Sequence, residues 1–264
     1  MEFISAGELE KYAYCPLSWW LARKGIAGKG KELKEGIDEH KELERGLSVI
    51  KEEEEKLFTS EFMIAILATS ASILSIVGVG IYISQMVVAS IIAMVIAAIW
   101  LVASAFFLFV ALKAAKLLMS SREVAAIPSG IIEYIADEYS PNLVSNNHKL
   151  IGKPDYVIRI NDGYVPVEFK AGRVPRGPLF SHIIQLVAYS LITEERYGKV
   201  AYGMLVYGKN QYKISISDEL RETALKKANG MREALRTGIV HRDHKKVSKC
   251  RNCSRRSYCS EKLV

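Results

Sequence analysis

The chain has 264 residues, 50% of them hydrophobic, a formal net charge of +7 and four cysteines. That length holds one large or two modest domains, and four cysteines with no signal peptide exclude a disulfide-built secreted scaffold, pointing instead to metal ligation in a reducing compartment. The charge is uneven: residues 31–61 carry eleven acidic and six basic side chains, so the remainder is strongly basic and suits a polyanionic partner, nucleic acid or anionic lipid.

Ser5 and Glu8 have the spacing of a capping box, which predicts a helix through Leu9 and Tyr12 towards Cys15 and Pro16. A second helix is expected to carry Trp19, Trp20 and Leu21, packed in a core. Residues 31–56 are charged and helix-favouring, with His40 their single imidazole. From Phe62 to Leu112 there is no Asp, Glu, Lys or Arg. As a helix, 62–83 is about 33 Å long and 86–112 is longer, each enough to cross a hydrocarbon core of roughly 30 Å. Only Ser84 and Gln85 separate them, so the two form a transmembrane helical hairpin. Small residues four apart, Ala89, Ala93 and Ala97 on one span and Ala68 and Ser72 on the other, let two backbones approach closely. Lys51, Lys56, Lys113, Lys116 and Arg122 flank the spans while the tip has no basic residue, which places both soluble segments and both termini in the cytoplasm.

After Gly130 a short helix is expected over 131–139. Residues 152–170 then read as two strands rich in Val, Ile and Tyr, joined by a turn at Asn161, Asp162 and Gly163. Side chains alternate along a strand, so Glu168 and Lys170 share a face, and the hairpin returns Asp155 beside them. Two carboxylates and an amine around one point suit a hard divalent cation held by oxygen, with a lysine next to the attacking water. A salt bridge on an ordinary hairpin is the plainer alternative.

Pro175, Gly177 and Pro178 break the chain before a helix from about His182 to Arg196, on which Gln185 and Tyr189 share a face. Residues 200–207 and 212–216 form a second hairpin closed by 208–211. Ser217 caps a last long helix with an apolar stripe at Leu220, Ala224, Ala228, Met231 and Leu235, and Gly238 ends it.

Three cysteines crowd the end of the chain as Cys250, Cys253 and Cys259, while Cys15 stands far upstream. Three thiolates need a fourth ligand and Cys15 is the cysteine left, so the set fits either a [4Fe-4S] cluster or a tetrahedral zinc. Either one staples the two ends of the chain together. Arg242, Lys245, Lys246, Lys249, Arg251, Arg255 and Arg256 surround it, a density that neutralises phosphates if it lines a groove and is otherwise a solvated basic tail. His241 and His244 in this run read as solvated or phosphate-facing.

Taken in order, Tyr14-Cys15-Pro16, Gly36 with His40, Gly152 with Asp155, Val167-Glu168-Phe169-Lys170, Gln185 with Tyr189, and the three late cysteines resemble the CRISPR-associated RecB-like exonucleases (Cas-four) of the PD-(D/E)XK nuclease superfamily. Each motif is weak alone and the ordered set is specific. The resemblance implies an α/β fold with a mixed sheet flanked by helices, and a Mn2+ or Mg2+ site built from His40, Asp155 and Glu168. It implies that Lys170 helps to activate water, that Gln185 and Tyr189 position Lys170 or the DNA backbone, and that Cys15, Cys250, Cys253 and Cys259 hold a [4Fe-4S] cluster. It implies, further, cleavage of DNA, chiefly as a single-strand exonuclease, in CRISPR spacer acquisition with integrase proteins as partners, or in DNA repair.

The transmembrane hairpin between His40 and Asp155 departs from the family pattern. The expected organisation is a helical part at 1–60, the hairpin at 61–115, the nuclease core at 116–240 and the cysteine segment at 241–264. Two other classes of function stand beside this one, a membrane-anchored nucleic-acid-binding protein with a vestigial nuclease site and a zinc-stapled membrane adaptor.

Overall fold

The computed structural model describes residues 2–26, 32–124, 130–172 and 174–263, and the side chains of 32–44, 121, 123 and 124 lie outside that description. Two compact units emerge, one of residues 1–44 with 128–264 and one of residues 45–127.

In the first unit, β1 (Ile4–Ser5) leads into α1 (Ala6–Tyr14) and α2 (Pro16–Arg23). Ser5 sits at the N-cap of α1, yet its side chain makes no cap bond. The expected capping box fails because its two members are engaged elsewhere: Ser5 pairs as a strand residue with Ile151, and Glu8 accepts from Arg23 at 3.0 Å. Beyond the second unit the chain forms β2 (Ile131–Ile135), β3 (Leu143–Ser145), β4 (Leu150–Gly152), β5 (Tyr156–Ile160) and β6 (Gly163–Lys170).

The helix expected over 131–139 is therefore a strand followed by a turn. Ile132 and Tyr134 are buried while Ile131 and Glu133 face out, a period of two that suits a sheet, and β2 gains its partner in β5. Asp137 then folds the chain back, its Oδ1 accepting from the amides of Tyr139 and Ser140 at 2.8 and 2.5 Å.

The central hairpin forms as expected. In β5 and β6, Tyr156 faces Val167 and Ile160 faces Gly163, with Asn161 and Asp162 in the turn. Gly163 has φ +133°, and a Cβ there would lie 2.2 Å from the carbonyl oxygen of Lys199, so no other residue fits. From β6 the chain crosses through α5 (Phe180–Tyr197) to β7 (Gly203–Tyr207), which pairs parallel with β6, as a parallel pair requires of its connection.

A two-residue turn at Gly208 and Lys209 leads to β8 (Asn210–Ile214), a tighter hairpin than the spacing suggested. The result is a five-stranded mixed sheet in the order β2-β5-β6-β7-β8 and a three-stranded sheet in the order β1-β4-β3. Next comes α6 (Asp218–Thr237), capped by Ser217 Oγ at the Leu220 amide and ended by Gly238 in the left-handed region. A five-residue α7 (Val247–Arg251) and a single 3-10 turn (Arg256–Tyr258) complete the unit. The core gathers on α5, whose Ile184, Val187, Ala188 and Ile192 are fully buried with Leu9 of α1 and Met231 of α6.

The second unit is a helical hairpin. Helix α3 (Glu32–Ile83) enters it and α4 (Val87–Val124) leaves it. The two run antiparallel: near the tip Ser90 Oγ donates to the Gly78 carbonyl at 2.8 Å, and at the far end Arg122 pairs with Glu54. The seam is built of small residues. Ala93 and Ala97 are buried as the spacing predicts, but the buried small residues on α3 are Ala71 and Gly78 rather than Ala68 and Ser72, and Ala89 is only half-buried. A Cβ on Gly78 would touch Ala93 Cβ at 3.5 Å, so the backbones meet there at van der Waals range. Both helices are long and apolar enough to cross a membrane, and only 11% of each apolar window is buried.

Candidate active site and cysteine site

The register that pairs Tyr156 with Val167 sets Asp155 opposite Glu168, just where β5 begins and β6 nears its end. Asp155 Oδ2 accepts from the Phe169 amide at 2.6 Å, which locks the acid onto β6 between Glu168 and Lys170. Glu168 is 6% exposed and its Oε1 lies 3.1 Å from Lys170 Nζ. Lys170 also donates to Gln185 Oε1 at 2.5 Å, and Gln185 Nε2 donates to the Tyr189 hydroxyl at 3.1 Å. The structure thus brings Asp155, Glu168, Lys170, Gln185 and Tyr189 into one continuous set spanning two strands and α5. His40 lies on α3 among the side chains outside the description.

Gly152 explains why this set fits. A Cβ there would lie 2.7 Å from Tyr189 Cε1 and 3.1 Å from Ala6 Cβ, so the bare backbone of β4 makes room for the Tyr189 ring.

Three residues that sequence reasoning missed complete the surroundings. Glu10 of α1 places Oε2 at 2.8 Å from Lys170 Nζ and Oε1 at 3.4 Å from His182 Nε2. His182 Nδ1 is 2.8 Å from the Tyr207 hydroxyl, which also accepts from the Leu179 amide at 3.3 Å. Glu10 is 160 positions from Lys170 and sits in no motif with it, so no spacing could have signalled it.

The electrostatics follow from crowding acids in a dry place. Burial, and next the charge of Asp155, push the Glu168 carboxyl well above the ordinary carboxylate range against the pull of Lys170. Burial opposes the Lys170 charge, but Glu168 and Glu10 outweigh it and hold its pKa above the usual lysine value. Burial also opposes the Glu10 charge, yet His182 and Lys170 lower it to about 2. Tyr189 is pushed up by burial and by the Glu168 charge, so it stays a neutral phenol.

Asp155 and Glu168 fit a hard divalent cation. Two carboxylates forced together in low dielectric repel, and a cation between them offsets both the repulsion and the burial. Among the described residues no three His, Cys, Asp or Glu side chains gather at single-ion range, either here or at the cysteines.

At the far end of α1, Cys15 caps that helix and opens α2. All four cysteines are free thiols, and all four line one cavity with Tyr14, Ser18 and His244. Ser18 Oγ lies 3.5 Å from Cys253 Sγ, and Tyr14 OH donates to the Lys249 carbonyl at 2.9 Å, so the two chain ends meet here. Burial raises the Cys15 thiol pKa while the amides of Ser18 and Leu17 lower it by donating to the sulfur.

The basic run is partly structural. Lys249 Nζ donates to the Tyr14 carbonyl at 2.7 Å, Arg255 Nε to the Ile26 carbonyl at 2.9 Å, and Arg242 to the carbonyls of Glu261 and His244. Lys245, Lys246 and Arg251 are exposed.

A mixed sheet that presents Asp155, Glu168 and Lys170 at adjacent strand ends, backed by Gln185 and Tyr189, is the frame of a PD-(D/E)XK nuclease. Residues 4–260 match that superfamily's sequence profile, and the chain belongs to the PD-(D/E)XK nuclease superfamily. Among curated proteins it is similar to the CRISPR-associated exonuclease Cas4 of Francisella tularensis subsp. novicida (strain U112), with 25% identity over 132 residues. That match covers 50% of this chain and 66% of the relative.

Proposed function

We propose that this chain is a membrane-tethered, metal-dependent DNA nuclease that degrades single strands, its catalytic unit and both termini on the cytoplasmic side. The observation that carries the reading is the gathering of Asp155, bonded to the Phe169 amide at 2.6 Å, with the buried Glu168 and with Lys170, whose Nζ lies 3.1 Å from Glu168 and 2.5 Å from Gln185, on a chain of nuclease ancestry.

Asp155 and Glu168 would hold Mn2+ or Mg2+, with His40 a further ligand; the cation supplies Lewis-acid polarisation of the scissile phosphate and a more acidic water. Lys170 keeps its charge in this acidic pocket and orients the attacking water while balancing charge that builds on the phosphate. Gln185 fixes the direction of the ammonium, and Tyr189, held neutral, fixes Gln185. The exposed Lys245, Lys246 and Arg251 supply salt-sensitive, sequence-independent hold on the DNA backbone.

Four thiols around one cavity support a [4Fe-4S] cluster with a structural role, closing the domain by joining its first helices to its last residues. The outward-facing apolar windows of α3 and α4 support a membrane anchor, since a soluble core helix would bury that surface. The relative named a CRISPR-associated exonuclease supports a role in spacer acquisition beside integrase proteins.

The test is degradation of end-labelled single-stranded DNA by the purified full chain in Mn2+. Lys170→Ala is expected to lower the rate by about 100- to 1,000-fold, the scale of removing one transition-state donor, while DNA binding persists. Glu168→Ala should lose cleavage together with Mn2+ affinity. Wild-type rates in either variant would discard this assignment.

A further inference from the structure

The ammonium of Lys170 has three N–H donors, and the structure gives them three acceptors: Glu168 Oε1, Gln185 Oε1 and Glu10 Oε2. Glu168 belongs to the cation pair and Gln185 to a recognised motif. Glu10 belongs to neither, and it reaches the lysine from α1.

Behind Glu10 runs a series of polar contacts that begins at a backbone amide. The Leu179 amide can only donate, and it donates to the Tyr207 oxygen. The Tyr207 hydroxyl lies 2.8 Å from His182 Nδ1, and His182 Nε2 on the other side of the ring faces Glu10 Oε1 at 3.4 Å. The other oxygen of the same carboxylate receives Lys170. The series runs from the Leu179 amide through Tyr207, His182 and Glu10 and ends on the residue proposed to orient the attacking water.

We propose that Glu10 is a positioning residue for the nuclease reaction, that it aims Lys170, and that His182 and Tyr207 act through Glu10 by fixing its carboxylate. The inference rests on the nuclease reading above. A carboxylate that only filled space would need no such orientation, whereas one that aims a catalytic ammonium must be held within a fraction of an ångström. With Glu168 holding a cation, Glu10 and Gln185 would still hold the lysine, and its third donor would be available to water or phosphate.

The test compares wild type, Glu10→Ala, Glu10→Gln, His182→Ala and the Glu10→Ala/His182→Ala double variant, all as the full chain in detergent, with Mn2+ and labelled single-stranded DNA. Glu10→Ala is expected to lower kcat by roughly 30- to 100-fold, the cost of a misplaced catalytic group, with KM changed by less than about twofold. Mn2+ affinity should stay at the wild-type level. Glu10→Gln keeps an acceptor and should recover part of the loss. His182→Ala should lower kcat by about tenfold or less, and the double variant should be no worse than Glu10→Ala, since a residue that acts through another adds nothing once that other is gone.

Unchanged kcat in Glu10→Ala overturns the inference while leaving the nuclease reading intact. So does a double variant whose loss is the product of the two single losses, or a Mn2+ affinity that falls with Glu10. A wild-type protein that cleaves no DNA overturns the nuclease reading and this inference with it.

Discussion

Gly152 offers the sharpest check of how the pocket is built, because a single methyl group is enough to disturb it. In Gly152→Ala the new Cβ would lie 2.7 Å from Tyr189 Cε1 and 3.1 Å from Ala6 Cβ. Neither neighbour can yield cheaply: Tyr189 is 5% exposed and Ala6 fully buried, both inside the main core. Overpacking of this kind costs about 1–3 kcal/mol, which in a domain of this size lowers Tm by roughly 3–10 °C. The larger effect is on catalysis. The Tyr189 hydroxyl holds Gln185, and Gln185 holds Lys170, so a ring pushed aside by several tenths of an ångström is transmitted to the ammonium. Calorimetry and Mn2+-dependent cleavage should therefore both decline, with kcat falling about tenfold or more. Gly7→Ala is the matched control. Its Cβ would meet only Ser5 Oγ, at 3.8 Å, so the same substitution in α1 should be neutral or stabilise by a few tenths of a kcal/mol. Were Gly152→Ala to melt and cleave like wild type, the packing account of this motif would be wrong.

Other consequences can be measured in the same protein. Anaerobically purified chain should be brown and carry iron with acid-labile sulfide, and Cys15→Ala should lose both; a colourless protein holding one zinc would remove the cluster. Loss of that link frees two chain segments 235 residues apart, so stability should drop by about 5 kcal/mol in the loop-closure picture. Replacing 61–112 by a Gly/Ser linker from Ser60 to Lys113 should give a soluble protein that still cleaves DNA. Ser60, Ala111 and Ala114 are buried along the helix pair, so the linker need bridge only about 8–10 Å between packed helices. An excised protein that folds and binds Mn2+ but has lost cleavage would show that the hairpin shapes the site. Acid stability should depend on Glu10, whose pKa is lowered to about 2. A carboxyl depressed in the folded state stabilises above its unfolded value and loses that contribution as pH falls through the folded one, here between about pH 4.5 and 2. Glu10→Gln should therefore flatten the fall of Tm over that window, and Glu168, shifted the opposite way, cannot mimic this.

What the sequence disclosed is whatever has a local period or a local turn. The β5–β6 hairpin, the shared face of Gln185 and Tyr189, the Ser217 cap and the Gly238 stop all repeat or terminate within a few residues. The strand at 131–135 was missed because five residues are too few to separate a period of two from one of 3.6, and because the β5 edge that decides the matter lies more than twenty residues on. The small-residue seam of the hairpin was seen on α4 but misaligned on α3, since several four-residue rows of small side chains compete there and only packing selects Ala71 and Gly78. Glu10, His182 and Tyr207 left no signal at all, being assembled from three elements by the tertiary fold.

Helix α1 shows why such residues matter more than their silence suggests. It is nine residues long, carries Glu10 on one face, and ends at Cys15. The Cys15 amide is bonded to the Lys11 carbonyl, so the thiol and the carboxylate ride on one rigid element, about five helical residues or roughly 7–8 Å apart along its axis. A change in how the thiol is seated cannot leave Glu10 in place unless the helix itself breaks. Cys15→Ala should for that reason reduce cleavage in molecules that remain folded, with the kcat-selective pattern of Glu10→Ala. A variant that lost its iron yet kept full kcat in the folded fraction would show that α1 does not couple the two sites.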